Sequence, residues 1–165
     1  MKNFTTKKLA RAGVIAGLYV GLTLIFLPFS FGGIQIRIAE GLTFLPIFFP
    51  ESIFSLFVGC AVVNLFSSFG VLDVVIGSLT TLCAGFLTRV IYKKTKSLLL
   101  AGLPPVVLNA IFIPIVIYLS GVVEGYFLNM VSIFISQSIF VYGIGIPLSL
   151  FLRKEEKKGS KLFKF

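Results

Sequence analysis

Residues 37–51 read RIAEGLTFLPIFFPE, and the fold turns on whether the apolar part of this stretch, 38–49, crosses a membrane. A span takes roughly 20 apolar residues to cover about 30 Å of hydrocarbon, so 38–49 is short for the purpose. It is also bordered by charge. The chain has only six Asp and Glu residues, yet Glu40 and Glu51 both sit here, together with Arg37. Charges are costly in an apolar setting, so these groups lie at a water boundary, have partners, or meet a ligand.

The composition around this stretch identifies the solvent. Of 165 residues, 57% are hydrophobic and 13% are charged; Phe occurs 19 times and Trp not at all. Soluble domains carry about 25% charged residues, so half that share marks a chain that lives in lipid. A net charge of +9 could suit nucleic acid, but the bases are grouped. They fall at Lys2, Lys7, Lys8 and Arg11, then at Arg89, Lys93, Lys94 and Lys96, then from Arg153 through Lys164, with Arg37 the only base between Arg11 and Arg89. Such clusters between long uncharged runs flank membrane spans on the cytoplasmic side. They leave no folded aqueous surface for a nucleic-acid patch.

Clear apolar runs cover 9–29, 51–69, 71–92, 98–120 and 126–152. The basic-then-apolar start looks like a signal peptide, but 12–31 is too long and lacks a small-residue cleavage site, so it reads as a retained span. The N-terminus, the 89–96 loop and the C-terminal tail are all basic and belong on the cytoplasmic side. That requires four crossings before residue 89, and hence that 38–49 is one of them. The expected fold is an all-α integral membrane protein, a six-transmembrane-helix bundle with cytoplasmic N- and C-termini. It comprises a membrane domain over 1–152 and a basic cytoplasmic tail over 153–165. Pro46 shortens the second span, and Pro104, Pro105 and Pro114 punctuate the fifth, either as kinks or where carbonyls face a wet cavity.

Several chemistries are missing. Without His, no His-based metal site or Ser-His or Cys-His pair exists. Cys60 and Cys83 lie in apolar runs and read as packing residues. No GxxxxGK[ST] is present, so no P-loop of this chain hydrolyses ATP. What the chain does have is small and polar residues at helical spacing. Ala12 and Ala16 are four apart, as are Gly13, Gly17 and Gly21, making ridges that another helix can approach closely, within this chain or outside it. Asp73, Gly77, Thr81, Gly85 and Thr88 keep one face of the fourth span; Asn129, Ser132, Ser136 and Gln137 share a face of the sixth, below Tyr126. Asn64 and Asn109 lie within the third and fifth spans. Amides in hydrocarbon need partners, so these stripes face the interior, as glue between helices or as a site.

Arg37 and Glu40, three apart, are spaced to pair on a helix. Glu51 follows Pro50 and suits a helix start, where an acid favours the macrodipole; Asp73 has the same reading open to it. Glu40 and Asp73 fall in the outer half of the expected topology, where Arg37, Asn129 and Glu124 also gather. Converging polar groups are what a pocket for a small polar solute requires.

The segments IQIRIAEGLTFLPIFFPESI and VGCAVVNLFSSFGVLDVVIGSLTTLCAGFLTRVIY resemble the queuosine-precursor transporter (QueT) family. The likeness runs from AGVIAGLYVGLTL through the fourth span, carried by R-x-x-E-x-L, F-P-E and L-D-x-x-x-G-[ST]-x-x-T. The resemblance implies the substrate-binding S-component of an energy-coupling-factor (ECF) transporter. Such a subunit captures 7-cyano- or 7-aminomethyl-7-deazaguanine from outside and has no ATPase or cofactor of its own. It also implies docking on a membrane coupling subunit with two ATP-binding subunits, through the small residues of the first span, here Ala12 and Ala16 with Gly13 and Gly17 alongside. A guanine-like edge offers N–H donors suited to a carboxylate, Glu40 or Asp73. Its O6 acceptor suits Arg37, Asn64, Asn109 or Gln137, aromatic rings stack on its face, and Glu124 suits a cationic aminomethyl group. Competing readings are an S-component for another vitamin or nucleobase, a gating role for Arg37 and Glu40, and a standalone ion-coupled secondary transporter.

Overall fold

The computed structural model describes residues 6–30, 35–121, 125–160 and 163; Glu124 lies outside them. Among these residues the chain is helical, without strands: α1 (Thr6–Ile25), α2 (Leu27–Ser30), a 3-10 helix (Ile38–Ile47), α3 (Ser52–Asn64), a π-helical turn (Asp73–Gly77) leading into α4 (Ser78–Thr95), α5 (Leu98–Ala101), α6 (Leu103–Leu119) and α7 (Tyr126–Lys157). Four stretches are long and apolar enough to cross a membrane: Thr6–Ile25, Asp73–Thr95, Leu98–Leu119 and Tyr126–Lys157. Ile38–Ile47 and Ser52–Asn64 are apolar but shorter. Large hydrophobic side chains stand exposed on each long helix, among them Val14, Phe86, Phe112 and Phe134, whereas Arg37, Glu40, Asn64, Asp73 and Asn109 are buried. This inside-out partition suits a lipid solvent.

The segment 38–49 is neither a loop nor an ordinary helix. From Ala39 to Pro46 every residue is buried, and the 3-10 helix packs against α1, α3, α4 and α7. A 3-10 helix rises about 2.0 Å per residue against 1.5 Å in an α-helix, so this element reaches roughly 20 Å with few residues. Two close approaches seat it. A Cβ on Gly41 would fall 2.6 Å from Ile144 of α7, and one on Gly145 would fall 2.3 Å from the Phe44 ring. Glycine on each partner thus makes room for the other's bulk. The ring of Phe44 also reaches Gly102, between α5 and α6, where an added Cβ would meet it at 3.0 Å. Pro104 and Pro105 stand in the first turn of α6, which tolerates proline, and Pro114 lies inside that helix.

The basic clusters gather at one end. Arg11 donates from Nε to Glu51 Oε1 at 2.7 Å and also from Nη2, and its guanidinium lies 4.2 Å from the centroid of the Phe49 ring. Arg89 donates to the carbonyl oxygens of Pro46 and Ile47, satisfying the C-terminal end of the 3-10 helix. Arg153 stacks on Tyr92 at 5.2 Å and donates to its hydroxyl. Glu51 does precede α3, as its sequence context suggests, but makes no side-chain cap there; Arg11 holds its carboxylate instead. α7 continues to Lys157, past the tail boundary expected at 152.

Adding a methyl group at Gly145 overpacks Phe44, so Gly145→Ala should destabilise the protein by about 1–3 kcal/mol. Gly143, which has nothing within 4 Å of an added Cβ, is the control. Thermal unfolding in detergent should show a lowered midpoint for Gly145→Ala and an unchanged or raised one for Gly143→Ala; equal midpoints would mean the Phe44 notch is not tight.

Candidate functional site

Arg37 precedes the 3-10 helix in a non-helical conformation (φ −107°, ψ 84°) that directs its side chain inward. It is 2% exposed and reaches two elements at once. Its Nη2 donates to Asn64 Oδ1 at 3.0 Å and lies 3.6 Å from Asp73 Oδ2. Asn64, the last residue of α3, uses its other end as well: Nδ2 donates to the Asp73 carbonyl oxygen at 2.8 Å. Its amide orientation is therefore set by both neighbours. Asp73 opens the π-helical turn, a geometry often found at functional sites. Gly77 closes that turn; a Cβ there would lie 2.7 Å from both Asn64 Nδ2 and Asp73 Oδ1. Glycine here gives the two polar groups their space.

A second group adjoins this one. Glu40, fully buried in the first turn of the 3-10 helix, accepts a hydrogen bond from the Tyr19 hydroxyl at 2.6 Å, and Asn109 of α6 lies beside it. Asn109 Nδ2 donates to the Pro105 carbonyl, one turn earlier in α6, at 2.9 Å. Beneath lie Cys60 and Thr81, whose Oγ1 donates to Cys60 Sγ at 3.3 Å. Tyr19 stands about 12 Å along α1 from Arg11, at 1.5 Å per residue, so the site lies well inside from the basic end.

The hydrogen-bonding capacity here is only partly used. Glu40 Oε2, Asp73 Oδ1, Asn109 Oδ1 and both amide atoms of Gln35 are buried without a hydrogen-bond partner among the described residues. Buried polar groups in native proteins are nearly always bonded, and each vacancy costs about 1–3 kcal/mol. A concentration of vacancies around one buried cation is an arrangement ready for a polar ligand with complementary donors and acceptors.

The residues singled out in the sequence are therefore placed as follows. Arg37, Asn64 and Asp73 form one bonded network; Glu40 and Asn109 adjoin it. Gln137 is buried on α7 with its Oε1 unpartnered, but no hydrogen bond ties it to the others. The short contacts of Arg37 and Glu40 go to different partners, Arg37 to Asn64 and Asp73 and Glu40 to Tyr19, while the two charges attract each other through space. The face Asp73, Gly77, Thr81, Gly85, Thr88 is buried throughout, whereas Asn129 and Ser132 are half-buried. Ala16 offers its carbonyl oxygen to the close approach of Gly59, 3.1 Å from an added Cβ, so part of the Ala ridge packs within the chain. Ala12 is half-buried; Gly13, Gly17 and Gly21 face open space. Sequence reasoning missed Tyr19 and Gln35. The signal for Tyr19 was a hydroxyl inside a span, which needs a partner. For Gln35 it was the alternation in IQIRI, residues 34–38, which sets Gln35 and Arg37 on one side of an extended backbone.

Apolar surface, buried charge and several membrane-length helices together define a multi-pass membrane protein with a polar cluster in its interior. The chain belongs to the QueT transporter family, whose profile matches residues 9–154. It is 37% identical over 98 residues to the queuosine precursor transporter QueT of Lactococcus lactis subsp. cremoris (strain MG1363), an alignment that spans 58% of this chain and 57% of that relative's length. No solved structure matches the chain.

Removing the cation should expose how the network is coupled. Arg37→Met leaves Asp73 buried without its counter-charge and should cost about 3–5 kcal/mol. Arg37→Met with Asp73→Asn should recover part of that loss, read as thermal midpoints in detergent. Strict additivity of the two single changes would deny the pair any mutual dependence.

Proposed function

We propose that this chain is the substrate-capture S-component of an ECF transporter for queuosine precursors, 7-cyano- or 7-aminomethyl-7-deazaguanine. The observation that carries the reading is the buried group of Arg37, Glu40, Asp73 and Asn109, in which Glu40 Oε2, Asp73 Oδ1 and Asn109 Oδ1 are acceptors without a hydrogen bond among the described residues, suited to the N–H donors of a guanine-type base. Glu40 accepts from Tyr19 at one oxygen and has the other vacant; as an acceptor-only group it suits the N1–H and N2–H donors of the base. O6 then falls to Arg37. Asn64, committed at both ends, positions that guanidinium rather than meeting ligand. Asp73 supplies the counter-charge, and Gln137 lies buried on α7. The name of the Lactococcus relative supports the ligand class.

In this reading the chain makes six passes, counting the central 3-10 helix and α3. The 3-10 rise gives the former its reach, and α3, at 1.5 Å per residue, covers roughly 20 Å. The clustering of Arg11, Arg89 and Arg153 at one end supports cytoplasmic termini, with a membrane domain over 1–152 and a basic tail over 153–165 that first prolongs α7. The chain binds no cofactor. ATP is hydrolysed by two partner ATP-binding subunits and transmitted by a membrane coupling subunit. The open glycine ridge of α1, Gly13 and Gly17, with Ala12 and Ala16 beside it, receives that subunit.

Calorimetric titration of the purified chain in detergent should give tight binding of a 7-deazaguanine, and not of riboflavin, without ATP or partners. Glu40→Gln should weaken it by more than about tenfold, as for a buried charge-assisted bond. Unchanged affinity in the folded variant removes Glu40 from the site, and no binding of any purine-like base removes the substrate class.

Gly17→Leu fills the open ridge without touching the polar cluster. It should leave ligand binding intact and abolish cellular uptake that depends on the ATP-binding subunits. Uptake that survives loss of those subunits and collapses with the ion gradient would instead make the protein a secondary transporter.

A further inference from the structure

Gln35 lies immediately ahead of the central 3-10 helix, fully buried, with neither Oε1 nor Nε2 hydrogen-bonded. The backbone under it is fixed, since Ser136 of α7 donates its hydroxyl to the Gln35 carbonyl oxygen. The alternation along this extended stretch is visible in burial. Ile36 turns to a lateral groove that it lines with Ser132, Ile135 and Ile139, while Gln35 and Arg37 turn inward. Two residues of extended chain advance about 6.6 Å, within the reach of a single bicyclic base engaged by Arg37.

We infer that Gln35 is a ligand-contacting specificity residue whose amide forms two hydrogen bonds to the N3/N9–H edge of a free 7-deazaguanine base. This rests on the reading of the site as a deazapurine site. An amide offers one acceptor and one donor side by side, so its complement is an adjacent donor and acceptor. A free 7-deazaguanine base has such edges at N1–H with O6, at N2–H with N3 and at N9–H with N3. Glu40, which can only accept, takes the donors N1–H and N2–H, and Arg37 takes O6. Of the two edges that remain at N3, the one with N9–H lies on the far side from the amino group Glu40 holds, and it is the one assigned to the amide: Nε2 donates to N3, and Oε1 accepts from N9–H. In a nucleoside N9 carries the sugar and has no proton, so Gln35 makes the site select the free base over N9-substituted forms.

The test is calorimetry on the full chain in detergent with 7-aminomethyl-7-deazaguanine and its 9-methyl derivative. Wild type should prefer the free base by roughly tenfold or more, the scale of a lost buried hydrogen-bond pair. Gln35→Ala should bind the free base about tenfold more weakly, and its preference over the 9-methyl derivative should collapse, since both the hydrogen bonds and the obstruction are gone. The isosteric Gln35→Glu, which keeps the acceptor but loses the donor to N3, serves if the alanine variant does not fold; it should bind the free base more weakly while still discriminating against the methyl derivative. Wild-type affinity for the free base in either folded variant, or full discrimination in Gln35→Ala, overturns the role given to Gln35. Failure of the wild type to bind either compound overturns the deazapurine reading itself, and this inference with it.

Discussion

The guanidinium of Arg37 is the point on which the rest of the structure depends. It is a charge inside a bundle whose outer surface is Val, Leu and Phe, and hydrocarbon supplies no hydrogen bonds to hold it. Its partners therefore come from the protein. Asn64 arrives at the end of α3, Asp73 in the π-helical turn before α4, and the main chain of Arg37 itself leads the 3-10 helix. One side chain thus fixes the relation of three elements. Gly77 has no side chain because any Cβ would collide with two of the groups so arranged.

The central 3-10 helix follows from the same economy of space. It is enclosed by α1, α3, α4 and α7, and its close contacts with α7 are made by glycine on alternate sides, Gly41 against Ile144 and Gly145 against Phe44. A tighter, longer-rising helix carries few side chains past many neighbours. Its two ends meet different needs. At one, Arg89 satisfies the last carbonyls; at the other, Glu40 enters the polar cluster. The same ten residues thus both build the core and carry a member of the polar cluster.

Helix α1 presents two faces with different chemistry. One carries Ile15 and Tyr19 into the interior, where the Tyr19 hydroxyl orients Glu40. The other carries Gly13, Gly17 and Gly21 into open space. A rigid helix joins them, so any shift of Glu40 reaches, through Tyr19, the helix that bears the open ridge.

The sequence was a good guide to what is chemical and local. Low charge and grouped bases identify a lipid solvent whatever the packing, because desolvating a charge is costly in any fold. The rarity of charged and amide side chains inside apolar runs likewise marked Arg37, Glu40, Asp73, Asn64 and Asn109, all of which prove buried. Which of these touch was not legible. The spacing of Arg37 and Glu40 suggests a pair only if both are helical, and Arg37 is not; Glu51 has the context of a helix cap, but Arg11, distant in sequence, takes its carboxylate. Tyr19 and Gln35 lay unremarked because a single tyrosine or glutamine in an apolar run has no periodic partner. The sequence by itself determined the solvent, the helical class and the set of buried polar residues, since these depend on transfer free energies of single residues. Only the tertiary structure decided their pairing and the 3-10 form of 38–47, because both depend on what neighbouring elements bring within a few ångströms.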